Sequence, residues 1–177
     1  MEKPSLSTVE AGIRISRHEY RWDGPLGSPV ELTYSFRATS SKHTFSRFEI
    51  TQAYIAEDAL RLWYDVSGIT FTHVNRRFYS DEGTIRFANY SDPDDGFAAF
   101  AYFPGNRAAR SNAGDIWYNI ANSDPSPEPG SYDFMVILHE VGHAIGLEHP
   151  GDYTERSGRT VNYNRNAAYR EDSRQYT

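Results

Sequence analysis

Residues 139–150 read HEVGHAIGLEHP, and this run carries more information than any other part of the chain. His139 and His143 are four positions apart, so both imidazoles lie on one face of a helix. Gly146 can adopt the left-handed backbone that ends a helix, and the turn can return His149 to the same point. Three imidazole ligands with a fourth coordination position left open are typical of a catalytic zinc ion.

Glu140 follows the first histidine directly, where its carboxylate can accept a proton from water. Neighbouring residues predict the helix that this arrangement requires. Ser131 is a suitable N-cap, and Asp133 places a negative charge in the first turn. Apolar residues recur at helical spacing on the opposite face: Phe134, Leu138, Val141 and Ile145. A bare HExxH run arises by chance on surface helices, but the added glycine and third histidine favour a metal site.

The composition narrows the classes of partner. At 177 residues and a formal net charge of −6, the chain has the length of one domain and lacks a basic surface for nucleic acid. It contains no cysteine, which excludes disulfides and thiolate ligands. No apolar run is long enough to span a membrane, and the N-terminus has no signal-peptide core. The chain is expected to be a monomer. The three remaining histidines, His18, His43 and His73, have no partners at ligand spacing.

The remaining sequence alternates between helical and strand patterns. A capping box at residues 7–10 opens a first helix, which is expected to reach about Arg17. A long helix is expected over residues 45–66, with Glu57 paired to Arg61 on its surface. Alternating or apolar runs predict five strands at residues 30–36, 69–74, 84–90, 97–103 and 115–120. This order of elements predicts an α+β layer fold.

Several segments resemble a known family, the serralysins, which are secreted alkaline zinc metalloproteases of bacteria within the metzincin clan. Residues 150–153, Pro-Gly-Asp-Tyr, follow the third histidine as they do in serralysins. Further similar segments are residues 3–7, 83–91, 99–105, 114–119 and 130–140. The resemblance therefore covers essentially the whole chain.

The resemblance implies a metzincin-like fold. The expected sheet is twisted, five-stranded and mostly parallel, with one antiparallel edge strand at residues 97–103 beside the cleft and two long helices packed on it. An edge strand offers unpaired backbone groups to an extended peptide. The residues expected to bind the substrate in this way are Ala99, Phe100, Ala101 and Tyr102.

The resemblance also implies an activity, the zinc-dependent hydrolysis of internal peptide bonds. His139, His143 and His149 would hold Zn²⁺, and Glu140 would act as the catalytic base. The expected partners are protein or peptide substrates and a proteinaceous protease inhibitor, in the extracellular space. Calcium binding is a property of the full-length family, whereas the acidic run at residues 92–96 lacks the spaced ligands of a calcium site.

The sequence departs from the family pattern at its C-terminal end. Serralysins continue into a Met-turn beneath the zinc site, whose tyrosine is a further ligand, and then into calcium-binding glycine-rich repeats. Met1 and Met135 are the only methionines here, and Tyr176 precedes the position expected for that tyrosine. We therefore expect residues 1–177 to be a catalytic domain that is incomplete at its C-terminus, either cut from a longer protein or a natural short form. The alternative function is a zinc-binding module that binds a peptide or an inhibitor without turnover.

Overall fold

The structure is a computed structural model that describes residues 2–75, 79–105, 112–151, 153 and 162–172. The chain divides into two compact units. Residues 20–146 form the larger unit, and residues 1–19 with 147–177 form the smaller one. Tyr176, which precedes the position expected for the Met-turn tyrosine, lies outside the described residues.

Four described helices and five described strands make up the secondary structure. In chain order they are α1 (Thr8–Ile15), β1 (Val30–Phe36), α2 (Ile50–Val66), β2 (Ile69–His73), β3 (Ile85–Tyr90), β4 (Ala99–Ala101), β5 (Asp115–Asn119), α3 (Tyr132–Ile145) and α4 (Tyr163–Asn166). The larger unit contains every strand together with α2 and α3, while α1 and α4 belong to the smaller unit. Within the described residues, no helix is both long and apolar enough to cross a bilayer.

The strands form one sheet in the order β2-β1-β3-β5-β4. The first three pairings are parallel, and β4 alone runs antiparallel to its neighbour β5. The predicted mostly parallel sheet with an antiparallel edge strand is therefore confirmed. β4 is shorter than the predicted strand, because the residues before it form a turn in which the Phe97 N–H donates to Asp95 Oδ1 at 2.9 Å.

Helices α2 and α3 pack together, and α3 also contacts β4 and β5. The side chains on that face of the sheet form the main apolar core, as the alternating pattern of β1 predicts. The most deeply buried members include Phe48, Ile85, Phe87, Ile116 and Tyr118. A smaller aromatic cluster lies around Trp117 and contains Tyr90, Phe100 and Tyr102. The sheet is thus covered on both faces by aromatic and aliphatic side chains.

The long helix begins five residues later than the sequence suggested. Residues 45–49 are not helical, because Ser46 and Asn89 exchange two backbone hydrogen bonds at 3.0 Å as an isolated bridge. The helix then starts at Ile50 with a capping box in which the Gln52 side chain accepts from the Glu49 N–H at 2.8 Å. A contact between residues far apart in sequence therefore overrides the apolar periodicity.

The expected pairing of Glu57 with Arg61 is wrong. Arg61 lies 3.5 Å from Asp58, one turn away on the same helix. Glu57 turns toward the sheet, where its carboxylate accepts from the Tyr34 hydroxyl at 2.9 Å. A hydrogen bond from a buried phenol outweighs an exposed ion pair, whose free energy is about 0.3–0.5 kcal/mol.

Asp115 forms a buried ion-pair cluster with two arginines in the larger unit. Its fully buried carboxylate accepts from Arg37 Nη2 at 2.5 Å and from Arg86 Nε at 2.6 Å. Replacing it by asparagine removes the charge that balances two mostly buried guanidinium groups. We expect Asp115→Asn to lower the free energy of unfolding by about 3 kcal/mol, measured by urea denaturation. Asp58→Asn, which alters an exposed pair, should change it by less than about 0.5 kcal/mol.

Candidate metal centre

The N-terminus of α3 is fixed by its own cap and by the sheet. The Ser131 side chain accepts from the Phe134 N–H at 3.1 Å, as predicted. Asp133, in the first turn, lies 3.1 Å from the Tyr118 hydroxyl, which donates to the Asp124 carbonyl oxygen at 2.6 Å. A residue of the central sheet therefore sets the start of the helix that carries the histidines.

Two tryptophans hold the middle and end of α3. Trp63 Nε1 donates to the Leu138 carbonyl oxygen at 2.9 Å, and Trp22 Nε1 donates to that of Ala144 at the same distance. The Trp63 ring lies close to Gly142, where a Cβ atom would come within 3.1 Å of it. These bonds flank the two histidines, and no local sequence pattern predicts them because each joins residues more than seventy positions apart.

His139 and His143 lie next to each other on α3, as the four-residue spacing predicts. Their ring centroids are 4.5 Å apart with an interplanar angle of 81°. His143 also meets the Phe103 ring edge-on at 5.2 Å, and Phe103 stacks on Tyr20 at 4.7 Å. No sequence pattern predicts this contact, in which Phe103, just after β4, packs between Tyr20 and the His143 imidazole.

Glu140 points into the interior of the protein. It is 7% exposed, and its Oε2 atom has no hydrogen-bond partner among the described residues. Burial raises the pKa of its carboxyl group to about 8. A cation held by the adjacent imidazoles would oppose this shift, because a nearby positive charge favours the ionised carboxylate. An orphaned buried carboxylate oxygen beside two imidazoles therefore fits a metal-dependent site.

Helix α3 ends at Gly146, as predicted. The φ angle of Gly146 is +117°, and its N–H donates to the His143 carbonyl oxygen at 3.0 Å. A Cβ atom here would lie 2.1 Å from the Tyr20 carbonyl oxygen, so no other residue fits without a backbone shift. His149 follows three residues later, in the smaller unit, where its ring meets the Tyr153 ring edge-on at 5.8 Å.

Within the described part of the chain, one group of three side chains could hold a metal ion, and it consists of His139, His143 and His149. The other histidines with described surroundings have different neighbours. His43 lies against the ring of Trp117 at 4.6 Å, and His73 stacks on a tyrosine at the same distance.

The acidic run at residues 92–96 forms a hydrogen-bonded turn. Asp92 Oδ1 accepts from the Asp94 N–H at 3.0 Å, and Asp95 Oδ2 accepts from the Tyr90 hydroxyl at 2.5 Å. The Asn119 amide also donates to Asp95 Oδ1 at 3.0 Å. Protein donors therefore already engage these oxygen atoms.

The edge strand β4 exposes alternate backbone groups. The Tyr102 N–H donates to the Asp115 carbonyl oxygen at 3.0 Å, and the Tyr102 carbonyl oxygen accepts from the Gly114 N–H at 2.9 Å. In an antiparallel pair such residues alternate with residues whose backbone groups point away from the partner strand. Ala99 and Ala101 are therefore the residues that direct N–H and C=O groups outward, while Phe100 and Tyr102 face β5.

The contact between the Tyr118 hydroxyl and Asp133, at the start of α3, should make the free energy of unfolding depend on pH. Burial, and then the nearby Asp133 carboxylate, raise the pKa of the Tyr118 phenol. A raised pKa in the folded state means that the stabilisation is complete below the unfolded value of about 10 and is lost as the pH rises past it. Above pH ~10, the free energy of unfolding should fall less steeply with pH in Tyr118→Phe than in the parent protein. Denaturation at several pH values measures this slope. Tyr64→Phe, at a half-exposed position, should leave that slope unchanged.

Comparison with known proteins places these features in a family. The sequence model of the peptidase M10 family, the matrixins, matches residues 22–171. Metallopeptidase AprA of Pseudomonas marginalis is 36% identical over 99% of this chain and 38% of that protein. Serralysin A of Dickeya chrysanthemi is 36% identical over 99% of this chain and 37% of its own length. Serralysin of Proteus mirabilis is 35% identical over 98% of this chain and 38% of that protein.

The chain thus spans less than two fifths of the length of these relatives. The resemblance to serralysins is nevertheless confirmed, since it extends along nearly all of the sequence. Because the family match covers most of the chain, from the first strand through the histidine helix and beyond, the protein belongs to the matrixin peptidase family and is a serralysin-type metzincin catalytic domain.

Proposed function

We propose that this protein is a zinc-dependent endopeptidase that hydrolyses internal peptide bonds. The observation that carries the proposal is the buried Glu140 carboxylate, with an oxygen that has no described hydrogen-bond partner, on the same helix turn as two adjacent imidazoles. His139, His143 and His149 would hold the ion. A zinc ion held there would supply Lewis acidity for the activation of water and of the scissile carbonyl group.

Glu140 performs the proton transfers in this mechanism. Its carboxylate removes a proton from the attacking water, and the resulting carboxylic acid delivers that proton to the amine that leaves. Burial alone raises the pKa of this carboxyl group, and a cation held by the neighbouring imidazoles would favour the ionised carboxylate that accepts the proton. The surrounding core also keeps bulk water away from the Oε2 atom.

The substrate binds in extended form along β4. Ala99 and Ala101 offer outward backbone groups to the peptide, whereas Phe100 and Tyr102 pack in the aromatic cluster around Trp117. The partners proposed on this basis are protein or peptide substrates, and a proteinaceous inhibitor would compete for the same strand. We also propose an extracellular location, because the relatives are named as serralysins.

Metal removal tests this proposal directly. We expect the purified protein to take up one zinc ion per chain, measured by elemental analysis, and to cleave a quenched fluorescent peptide. A chelator should abolish cleavage, and added Zn²⁺ should restore it. His139→Ala should reduce both uptake and cleavage, whereas His43→Ala should leave zinc uptake unchanged because His43 packs against Trp117. Stoichiometric zinc without any cleavage would contradict the enzyme and support a binding module.

A further inference from the structure

The backbone of residues 148–150 is held by the C-terminal half of α1, within the smaller unit. The Glu148 N–H donates to the Ile15 carbonyl oxygen at 2.7 Å. The carbonyl oxygen of His149 accepts from Arg17 Nη1 at 2.8 Å, and that of Pro150 accepts from Arg14 Nε at 2.7 Å. Each of three consecutive residues therefore has a backbone group bonded to this part of α1 and the residues just after it.

The Glu148 side chain adds a fourth set of contacts. It is 9% exposed, and its Oε2 atom accepts from the backbone N–H of His18 at 3.0 Å. Its Oε1 atom contacts His18 Nδ1 and lies 3.6 Å from the Arg17 guanidinium. Charge-assisted hydrogen bonds to a buried carboxylate are stronger than neutral ones, so they fix the orientation of the chain just before His149.

We propose that Arg14, Arg17 and Glu148 are positioning residues that fix His149 for metal binding. This inference rests on the proposed metal centre. The three residues hold the backbone on either side of His149. These bonds order the loop before a metal ion binds. A loop that is already ordered loses less conformational entropy on binding, and groups that orient ligands typically change metal affinity about 10- to 100-fold. Arg14 and Arg17 precede residue 22, where the family match begins.

The test uses an arginine double variant, Arg14→Met with Arg17→Met, which keeps the apolar stems and removes the donors. Zinc affinity is measured by competition with a chromophoric chelator, and the visible absorption of the Co²⁺-substituted protein reports the ligand set. We expect zinc to bind about 10- to 100-fold more weakly and the Co²⁺ bands to lose intensity. Arg61→Met, on the exposed face of α2, is the matched control and should change neither measurement.

A double-mutant cycle separates positioning from general destabilisation. In a His149→Ala background, the two arginine replacements should have no further effect on the residual zinc affinity. An equal loss with and without His149 would overturn the proposal. If the parent protein binds zinc and the double variant binds it equally well, positioning fails while the metal centre stands. If the parent protein binds no zinc, the proposed function itself fails. Near-ultraviolet circular dichroism confirms that each metal-free variant is folded, and Glu148→Ala should reproduce the loss of affinity.

Discussion

Glu140→Gln should abolish peptide cleavage while zinc remains bound. The glutamine side chain has the shape of glutamate, but it cannot accept a proton from water or return one to the leaving amine. General acid–base catalysis contributes about 10²- to 10⁴-fold to a rate, so kcat should fall by about that factor. Single-turnover cleavage of a fluorescent peptide measures this loss, and elemental analysis verifies that zinc is retained.

The stability of this variant distinguishes a catalytic role from a structural one. The Oε2 atom of Glu140 is buried and has no hydrogen-bond partner among the described residues, so the native charge does not serve to hold the fold together. Replacing a poorly paired buried carboxylate by a neutral group costs little or is favourable. The metal-free variant should therefore unfold at the same urea concentration as the metal-free parent, or at a higher one. Glu128→Gln, an exposed replacement before α3, should keep full activity. Near-full cleavage by Glu140→Gln would refute the base assignment.

The sequence predicted those parts of the fold that depend on local chemistry. The Ser131 cap, the stop at Gly146 and the pairing of the two imidazoles on α3 all arise from residues within one or two helical turns. Rotation along a helix is fixed by geometry, so spacing alone determines which side chains meet. The mostly parallel sheet and its antiparallel edge strand came from the family resemblance and are confirmed by the structure, whereas the order of the strands was not predicted.

What the sequence could not provide were contacts between residues distant in the chain. Helix α2 begins late because Ser46 pairs with Asn89, and periodicity carries no information about that pairing. In the same way, the indole of Trp63 finds a carbonyl on α3, and Arg17 finds the carbonyl of His149. A side chain with one donor can bond to any exposed carbonyl oxygen. Only the packed structure determines which one it reaches.

Gly146→Ala should cause the largest loss of stability among single replacements near the site. The left-handed φ of +117° is strained for alanine, which costs about 1–3 kcal/mol. The new Cβ atom would also lie 2.1 Å from the Tyr20 carbonyl oxygen, a backbone atom that cannot rotate away. Relieving such an overlap shifts the backbone and costs about a further 1–3 kcal/mol or more. Together these effects predict a loss of roughly 2–6 kcal/mol in the free energy of unfolding, measured by urea denaturation.

Gly130→Ala separates the two causes, because Gly130 also has a positive φ, +82°, but a Cβ atom there meets nothing within 4 Å. It should therefore cost only the backbone strain, about 1–3 kcal/mol. The difference between the two variants measures the steric overlap with Tyr20. That overlap lies where the chain leaves α3 for His149, so a relaxed Gly146→Ala variant should also bind zinc more weakly, whereas Gly130→Ala should bind it normally. Equal stability of the two variants would mean that Tyr20 can move aside, and the close approach of these two backbones would then not constrain the path to the third histidine.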